Sequence, residues 1–511
     1  MTGGIAHART RVAALAPAWR RLGRLDQLAL AGLAAVLIAG FVLRVLFMFA
    51  WQPAFMGFTD SPAYLAMASG DLWSNTLHPV GYPLFLRDLH ALVPTAWFVI
   101  GLQHLFGLVS AVLIWLTVRR AGAPRLAALL PAAVIALNGD EMFLEHGILT
   151  ESLFILLASI CLYCASRSAS PPSVRWASAS ALALVFAHTV RVVALPLLPV
   201  LVLWLAFGSG GAWRERLRAA AAALACIVIV LGAYVLVQER NTGVVSLTTP
   251  TEGWDLYGRV APFADCTKFT PPPGTRVLCE KTPPAQRTND VFAYIFQPAR
   301  SLALQYFSRD NGPESSTQAQ EAKIAEFTRA VIENQPLDYA RTILEGMIAY
   351  ITPVRLEFSN RIELGPSYEQ FYHHILFTPA IQQGALKTRL GWYGVHSYKQ
   401  NRSLLRFLLA YETDSRVSGA LMALLMALSL FAPFAPRGRP RRMGILLLVF
   451  AWVSLVTPVA SVWWDSRYAI PPLGPLAAAS ALGAWQCTRL TRRAWRAALV
   501  RRARLAPRRA Q

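Results

Sequence analysis

Residues 28–50 read LALAGLAAVLIAGFVLRVLFMFA, and this apolar segment decides the fold class. Its one charged side chain is Arg44, and a helix of this length can cross the roughly 30 Å hydrocarbon core of a bilayer. The segment is too long for the core of a signal peptide, and no small-residue cleavage site follows it. We therefore interpret it as a retained first transmembrane helix.

The composition of the whole chain predicts many such segments. Of its 511 residues, 55% are hydrophobic and 15% are charged, whereas a soluble domain carries about 25% charged residues. We predict an α-helical polytopic membrane protein with about ten transmembrane helices. The predicted spans are 28–50, 96–118, 121–138, 147–165, 176–190, 192–207, 219–237, 417–435, 443–464 and 469–487.

The arginines give these spans an orientation. The formal net charge is +21, and the excess arginine lies in the two termini and in short links between alternate spans. The positive-inside rule places such links in the cytoplasm. Because the basic excess lies beside apolar runs, we interpret it as a topology signal and expect no nucleic acid partner. Abundant arginine and alanine with few lysines suggest a bacterial source, so we expect a multi-pass protein of the bacterial plasma membrane.

The predicted organisation follows from the spans and their charges. Residues 238–416 hold 19 basic and 18 acidic side chains, and the number of preceding spans puts this nearly neutral segment outside the cell. The predicted parts are a cytoplasmic basic N-terminus 1–27, a transmembrane domain 28–237 with a catalytic first outer loop 51–95, an extracytoplasmic domain 238–416, C-terminal transmembrane helices 417–487 and a cytoplasmic basic tail 488–511.

Local signals predict a largely helical extracytoplasmic domain. Residues 316–335 have helical apolar periodicity and begin with the capping-box pair Thr317 and Gln320. Pro336 suits the first turn of a following helix. Cys266 and Cys279 lie in a proline-rich part of the same domain, and in an oxidising compartment we expect them to form a disulfide.

Acidic side chains collect at the predicted outer face from loops that are far apart in the sequence. Ionisable groups in or beside membrane spans cost free energy, so their presence needs a reason. Exposure to water at the end of a segment would explain Asp71, Asp88 and Asp140. It explains less well why the whole set collects at one face. The outer-face acids are Asp60, Asp71, Asp88, Asp140, Glu141, Glu145, Glu151 and Asp465.

Two arginines at the same face predict an anion site. Arg191 and Arg467 lie in apolar surroundings with too few local acids for one surface ion pair. The planar guanidinium group suits bidentate binding of phosphate. A carboxylate in the first outer loop could then remove a proton from an acceptor hydroxyl. Arg44 lies deeper in the first span. Its charged end could equally well snorkel to the membrane interface as bind an anion.

Five motifs follow one another along this face. They are GFTDSPAYLAMA (57–68), HPVGYPLFL (78–86), FLEHGILTESLFILL (143–157), HTVR (188–191) and DSRYAIPPLGPL (465–476). In order, spacing and predicted side they resemble the glycosyltransferase C superfamily. The resemblance is to bacterial members that use polyprenyl-phosphate sugars and are related to protein mannosyltransferases and aminoarabinose transferases. It covers 28–237 and 417–487 and is looser over 238–416.

The resemblance implies a glycosyltransferase that moves a sugar, with inversion, from a polyprenyl-phosphate donor to an acceptor hydroxyl on a glycan, a lipid or a protein. Asp60 corresponds to the catalytic base, and Arg467 to the basic residue that faces the donor phosphate. Glu151 matches a second acid near the donor or a divalent ion, a site that Glu145 could share. The other predicted ligands are Arg191 and His146 for the donor phosphate and His78, Tyr64 and Tyr82 for the substrates.

A metal requirement stays open in this interpretation. Asp60 and Glu151 are candidate ligands of a divalent cation, and no other cofactor is expected. Many relatives have a second acid directly after the first-loop aspartate, but this chain has Ser61 there. That difference argues against a metal-binding acidic pair.

Two other classes of function were compared with sugar transfer. A lipid or sugar transporter predicts inverted repeats and ionisable residues near the bilayer midplane, and the sequence halves show no similarity. A lipid-linked polysaccharide ligase or polymerase would also use a large outer loop and arginines. A ligase or polymerase does not account for the presence of Asp60 in the first outer loop.

Overall fold

The computed structural model describes residues 23–56, 60–310, 312–313, 316–352, 390–395 and 397–505. Parts of the predicted N-terminus, the first outer loop, the extracytoplasmic domain and the basic tail lie outside these residues. The described chain is mostly helical, and its helices have the apolar composition of a membrane protein.

The first part of the chain forms ten helices and one short strand. They are α1 (Arg24–Ala50), β1 (Trp51–Gln52), α2 (Asp60–Ser69), α3 (Gly81–Leu92), α4 (Ala96–Ala121), α5 (Leu129–Leu137), α6 (Gly139–Glu145), α7 (Glu151–Arg167), α8 (Val174–Val190), α9 (Leu197–Leu203) and α10 (Trp213–Thr242). In the membrane part α7 packs against α4 and α8, and α8 packs against α10. Their facing side chains form one large apolar core.

The predicted extracytoplasmic domain follows α10. Its described helices are α11 (Glu252–Val260), α12 (Val291–Phe296), α13 (Leu302–Phe307), α14 (Gln318–Asn334) and α15 (Pro336–Ala349). Helices α11 and α14 pack on a separate core with Trp254 and Phe327 at its centre. The predicted capping box is confirmed, since Thr317 and Gln320 bond reciprocally at the start of α14. The predicted disulfide between Cys266 and Cys279 is confirmed as well.

The last part of the chain returns to the membrane helices. It contains β2 (Lys399–Gln400), α16 (Arg402–Ser415), α17 (Gly419–Ser429), α18 (Arg439–Ser461) and α19 (Leu473–Leu505). Strand β2 pairs antiparallel with β1, and α16 packs on α1 and α6. Helix α19 packs against α5, α17 and α18, so the two ends of the chain share one bundle.

The ten predicted spans are confirmed only in part by the length and apolar composition of the described helices. Within the described residues, four helices satisfy that test (α1, α4, α10 and α18), and the bent pair formed by α16 and 419–434 would add a fifth. The predicted span 121–138 contributes only the short α5, because Gly122 ends α4 in a left-handed conformation and Pro124 follows. The predicted span 192–207 is divided among a 3-10 turn, α9 and a π-helical turn. The remaining spans stay a prediction.

Candidate active site

An ion pair joins the first outer loop to the segment before the last helix. Asp60 is the first residue of α2, and Arg467 lies in the short 3-10 helix that follows α18. Nη1 of Arg467 lies 2.8 Å from Oδ2 of Asp60, and the two side chains are only 11% and 14% exposed. Oδ1 of Asp465 accepts a hydrogen bond from the backbone N–H of Arg467 at 2.8 Å. The guanidinium group is therefore presented by a fixed turn.

A second ion pair lies beside the first. Glu151 begins α7, and Arg191 directly follows α8. Nη1 of Arg191 lies 2.5 Å from Oε1 of Glu151 and donates to Oγ1 of Thr150 at 2.7 Å. The same Glu151 oxygen lies 3.9 Å from Nε of Arg467, which connects the two pairs. We call the connected side chains the outer cluster, and they are Asp60, Glu151, Asp465, Arg191 and Arg467.

One aromatic ring contacts both arginines of the outer cluster. The guanidinium carbons of Arg191 and Arg467 lie 5.7 and 5.4 Å from the ring centroid of Tyr468. Contacts of this kind hold a cation near an aromatic face without neutralising its charge. The guanidinium groups keep their capacity to bind an anion.

The electrostatics of the outer cluster set the protonation of its acids. Burial would raise the pKa of Asp60, but the positive charge of Arg467, with smaller effects of His78 and Arg191, outweighs burial and lowers the pKa below its usual value. Burial raises the pKa of Asp465, and the negative charges of Glu151 and Asp60 act in the same direction. Asp60 is therefore ionised at neutral pH, as a proton acceptor must be.

Aromatic side chains form a wall next to Asp60. Tyr64 lies one helical turn after Asp60 on α2, and its ring is 4.9 Å from the ring of His78 and 5.1 Å from that of Tyr82. The hydroxyl of Tyr82 donates to Oε1 of Gln103 at 2.7 Å, so its ring is fixed. The structure thus brings together Asp60 and the three predicted substrate ligands Tyr64, His78 and Tyr82.

A second group of ionisable side chains lies apart from these residues. Arg44 of α1 makes two hydrogen bonds to the carboxylate of Glu145, at 2.8 and 2.7 Å, and donates to the carbonyl oxygens of Gly40 and Ala136. Nδ1 of His104 lies 2.8 Å from Oε2 of Glu145, the oxygen that also accepts from Nε of Arg44. Arg44 is 2% exposed and does not snorkel to the surface. We call Arg44, His104, Glu145 and His146 the inner cluster.

His146 occupies a different place from the one its predicted role needs. Its Nδ1 lies 3.0 Å from Nε2 of His104, and its Nε2 lies 2.8 Å from the carbonyl oxygen of Trp51. With both ring nitrogens engaged and the side chain fully buried, His146 has no nitrogen left for a donor phosphate. Glu145 is likewise bonded within the inner cluster. Neither residue lies in the outer cluster, where the sequence had grouped them.

The inner cluster lies next to the contact between residues 55–61 and residues 146–148. The backbone N–H of Phe55 donates to the carbonyl oxygen of His146 at 2.9 Å, and that of Ile148 donates to the carbonyl oxygen of Phe55 at 3.2 Å. The hydroxyl of Ser61 donates to the carbonyl oxygen of Ile148 at 2.8 Å. These bonds fix the loop that carries Asp60 against the turn that carries Glu151.

Sequence reasoning missed His104 and Gln103, which lie within the apolar run of α4. Gln103 accepts from Tyr82 and donates to the carbonyl oxygens of Glu145 and Gly147 at 2.8 and 2.7 Å. It thereby connects the aromatic wall with the inner cluster. The available signal was the presence of two adjacent polar residues in a segment predicted to span the membrane.

Both candidate metal ligands of the outer cluster are paired with arginines. Asp60 and Glu151, the candidate metal ligands, each lie within 3 Å of a guanidinium group. Among the described residues, no group of three or more His, Cys, Asp or Glu side chains is arranged to hold a metal ion. A cation would have to displace an arginine from each carboxylate, so no chemical step is assigned to a metal here.

Comparison with known proteins gives distant structural likenesses. No protein-family model and no curated protein matches the chain. An oligosaccharyltransferase from Archaeoglobus fulgidus, tethered to an acceptor peptide with the NVT sequon, matches with 11% identity and a TM-score of 0.40 over 88% of this chain and 49% of that chain. The archaeal enzyme from the same organism in complex with an inhibitory peptide and a dolichol-phosphate matches with 11% identity and a TM-score of 0.40, over 88% and 50%.

The apo form of the archaeal enzyme gives 12% identity and a TM-score of 0.40 over 89% of this chain and 50% of that chain. The chain therefore spans about half the length of the structures it matches. At this TM-score the matches carry no inference about activity.

Proposed function

We propose that this chain is an inverting membrane glycosyltransferase that moves a sugar from a polyprenyl-phosphate donor to an acceptor hydroxyl. The reaction takes place at the extracytoplasmic face of the plasma membrane, with both termini in the cytoplasm. Asp60 is the general base, and Arg467 and Arg191 hold the phosphate. The observation that supports this most directly is the 2.8 Å contact between Asp60 and Arg467, which puts a proton acceptor next to an anion-binding group.

The chemistry needs few groups. The acceptor O–H transfers its proton to the carboxylate of Asp60 while the acceptor oxygen forms a bond to the anomeric carbon. The bond from that carbon to the phosphate oxygen breaks, and its electron pair leaves with the lipid phosphate. Attack from the side opposite the leaving phosphate inverts the anomeric centre. Arg467 and Arg191 stabilise the charge that grows on the phosphate.

Binding of the donor would also activate the base. Without a donor, Arg467 lowers the pKa of Asp60, which makes the carboxylate a weak base. A phosphate that takes up the guanidinium hydrogen bonds adds negative charge and weakens the pull of Arg467 on Asp60. The pKa of Asp60 then rises toward neutrality, and its carboxylate is freed for the acceptor hydroxyl.

The inner cluster does not favour transport as the function. Its ionisable side chains lie among membrane helices, as those of a transporter would. However, Arg44, His104 and Glu145 are bonded to one another and almost fully buried. Groups arranged in this way support the fold of the outer loops.

The proposal is tested by transfer from defined donors. The full chain, reconstituted in lipid nanodiscs, is incubated with radiolabelled undecaprenyl-phosphate-mannose or decaprenyl-phosphate-arabinose and a cell-envelope extract as acceptor. We expect label to move out of one of the two lipid fractions. The variant D60N should lose at least about 100-fold of the rate, because a positioned general base contributes roughly that much.

The matched control is D88N, which changes an exposed aspartate of the neighbouring helix α3. This variant should keep the wild-type rate. The proposal is wrong if neither donor is consumed, or if D60N and D88N are equally active at equal expression.

A further inference from the structure

A cavity of about 340 Å³ lies where the extracytoplasmic helices meet the first outer loop. Its walls come from three parts of the chain: the end of α10, the start of α14, and residues 250–251 packed against Thr76. Oγ1 of Thr251 donates to the carbonyl oxygen of Thr76 at 2.8 Å and joins two of these walls. The volume is at the lower end of the range of about 300–1,000 Å³ that is usual for small-molecule sites.

The lining of the cavity is polar and largely uncharged. Hydroxyl and amide groups dominate it, and Glu321 is its one carboxyl group. Burial raises the pKa of Glu321 to about 7, so this group is partly protonated at neutral pH. No lysine or arginine is found among the described residues that line the cavity, in contrast to the outer cluster. The lining residues with polar side chains are Thr76, Thr242, Thr251, Ser316, Thr317, Gln318 and Glu321.

The cavity adjoins the aromatic wall of the candidate active site. Thr76 precedes His78 by two residues, a distance of at most about 7 Å along the backbone. The ring of His78 lies 4.9 Å from that of Tyr64, and Tyr64 is one helical turn from Asp60 on α2. A molecule held in the cavity therefore lies beside the aromatic wall, on the side of His78.

We propose that this cavity binds a neutral sugar unit of the acceptor, next to the unit whose hydroxyl is glycosylated. The acceptor is then a glycan, since a wall of hydroxyl and amide groups without cations suits the hydroxyls of a sugar. This inference rests on the proposed function, because only a sugar transferase would have an acceptor to hold there.

The experiment measures sugar binding directly, without catalysis. The full chain in nanodiscs is mixed with maltose, α-1,6-mannobiose or α-1,5-arabinobiose, and saturation-transfer NMR records which sugar protons contact the protein. The variant Q318W places a bulky ring at the exposed rim of the cavity. The matched control is A319W, the same change at the next position of α14, which does not line the cavity.

We expect at least one of the three disaccharides to give a signal with the wild-type chain and with A319W. With Q318W that signal should fall at least fivefold. The inference is overturned if no disaccharide binds, or if Q318W and A319W give equal signals.

The transfer assay separates this inference from the proposed function. If D60N abolishes transfer but Q318W binds sugar normally, the proposed function stands and the acceptor cavity is wrong. If neither lipid donor is consumed, the proposed function fails, while the NMR signals still report on the cavity.

Discussion

Arg467 and Asp60 are 407 positions apart in the sequence, and their side chains meet at 2.8 Å. The contact closes the membrane bundle from its first outer loop to the turn before its last helix. It also determines the charge state of the candidate base, since the guanidinium group keeps Asp60 ionised although it is buried. Changes to either residue should therefore affect both the pH profile and the use of the donor.

The pH profile of transfer should depend on Arg467. The pKa of Asp60 is lowered in the folded protein without donor, so its carboxylate is lost only as the pH falls through that low value. The wild-type kcat/KM for the donor, which reports the free enzyme, should therefore be flat from about pH 7 to pH 5. In R467Q burial acts without the opposing charge and raises the pKa of Asp60. The kcat/KM of R467Q, relative to its own maximum, should then fall over this interval.

The matched control is R341Q, because Arg341 is an exposed arginine whose ion pair with Glu345 lies within one helix. Its profile should match that of the wild type. A flat profile for R467Q would show that Arg467 does not control the protonation of Asp60.

Arg191 and Glu151 can be separated into structural and donor-binding roles by a double-mutant cycle. Each single change, R191Q or E151Q, breaks a buried ion pair, and breaking such a pair costs about 3–5 kcal/mol. The double variant leaves no unpaired charge and should recover most of the thermal stability. If Arg191 holds the phosphate, the KM for the donor should stay raised about tenfold in the double variant.

The two readouts of this cycle are thermal unfolding in detergent and donor titration at saturating acceptor. A double variant that recovers both stability and donor KM would assign Arg191 a purely structural role.

Gly107 on α4 should tolerate no side chain, because a Cβ atom there would collide with Oε1 of Glu145 and come within 2.7 Å of Nη2 of Arg44. G107A must push apart the buried pair of the inner cluster and should destabilise the protein by at least about 2 kcal/mol. The matched control is G101A on the same helix. Its Cβ would meet only Cε of Met48, at 3.8 Å.

A helical glycine replaced by alanine without a clash gains roughly 0.5–1 kcal/mol. G101A should therefore unfold at the same temperature as the wild type or slightly higher, whereas G107A should unfold several degrees lower. Equal unfolding temperatures for the two variants would contradict the tight packing of the inner cluster.

The disulfide between Cys266 and Cys279 should stabilise the extracytoplasmic part locally. It joins residues 13 positions apart, and closing a loop of that size is worth roughly 3 kcal/mol. The double variant C266S/C279S should be cut faster by trypsin within residues 251–290. The control C226S, which removes a free cysteine of α10, should be cut at the wild-type rate, and an equal rate for all three proteins would exclude a stabilising role.

The parts of the structure that could be predicted from the sequence rest on local or topological signals. Thr317 and Gln320 are three residues apart, so their capping box could be recognised directly. Asp60, Glu151 and Arg467 could be placed together because the positive-inside rule assigns their loops to one face and their chemistry is complementary.

The inner cluster could not be predicted because its bonds depend on tertiary packing. Arg44 and Glu145 are 101 positions apart, and His104 and Glu145 are 41 apart. Proximity in sequence instead suggested that Glu145 and His146 belong with Glu151. The short helix α6 ends at Glu145, and residues 146–150 separate it from Glu151 at the start of α7.

The pairing of Arg44 with Glu145 has a consequence for how the chain is made. The ribosome synthesises the arginine 101 residues before its carboxylate partner, and an unpaired arginine in a membrane helix costs up to about 2.5–3.5 kcal/mol during insertion. The arrival of α6 supplies the partner and removes this cost, so we expect the first helix to become more stable in the membrane at the step of biogenesis that adds α6.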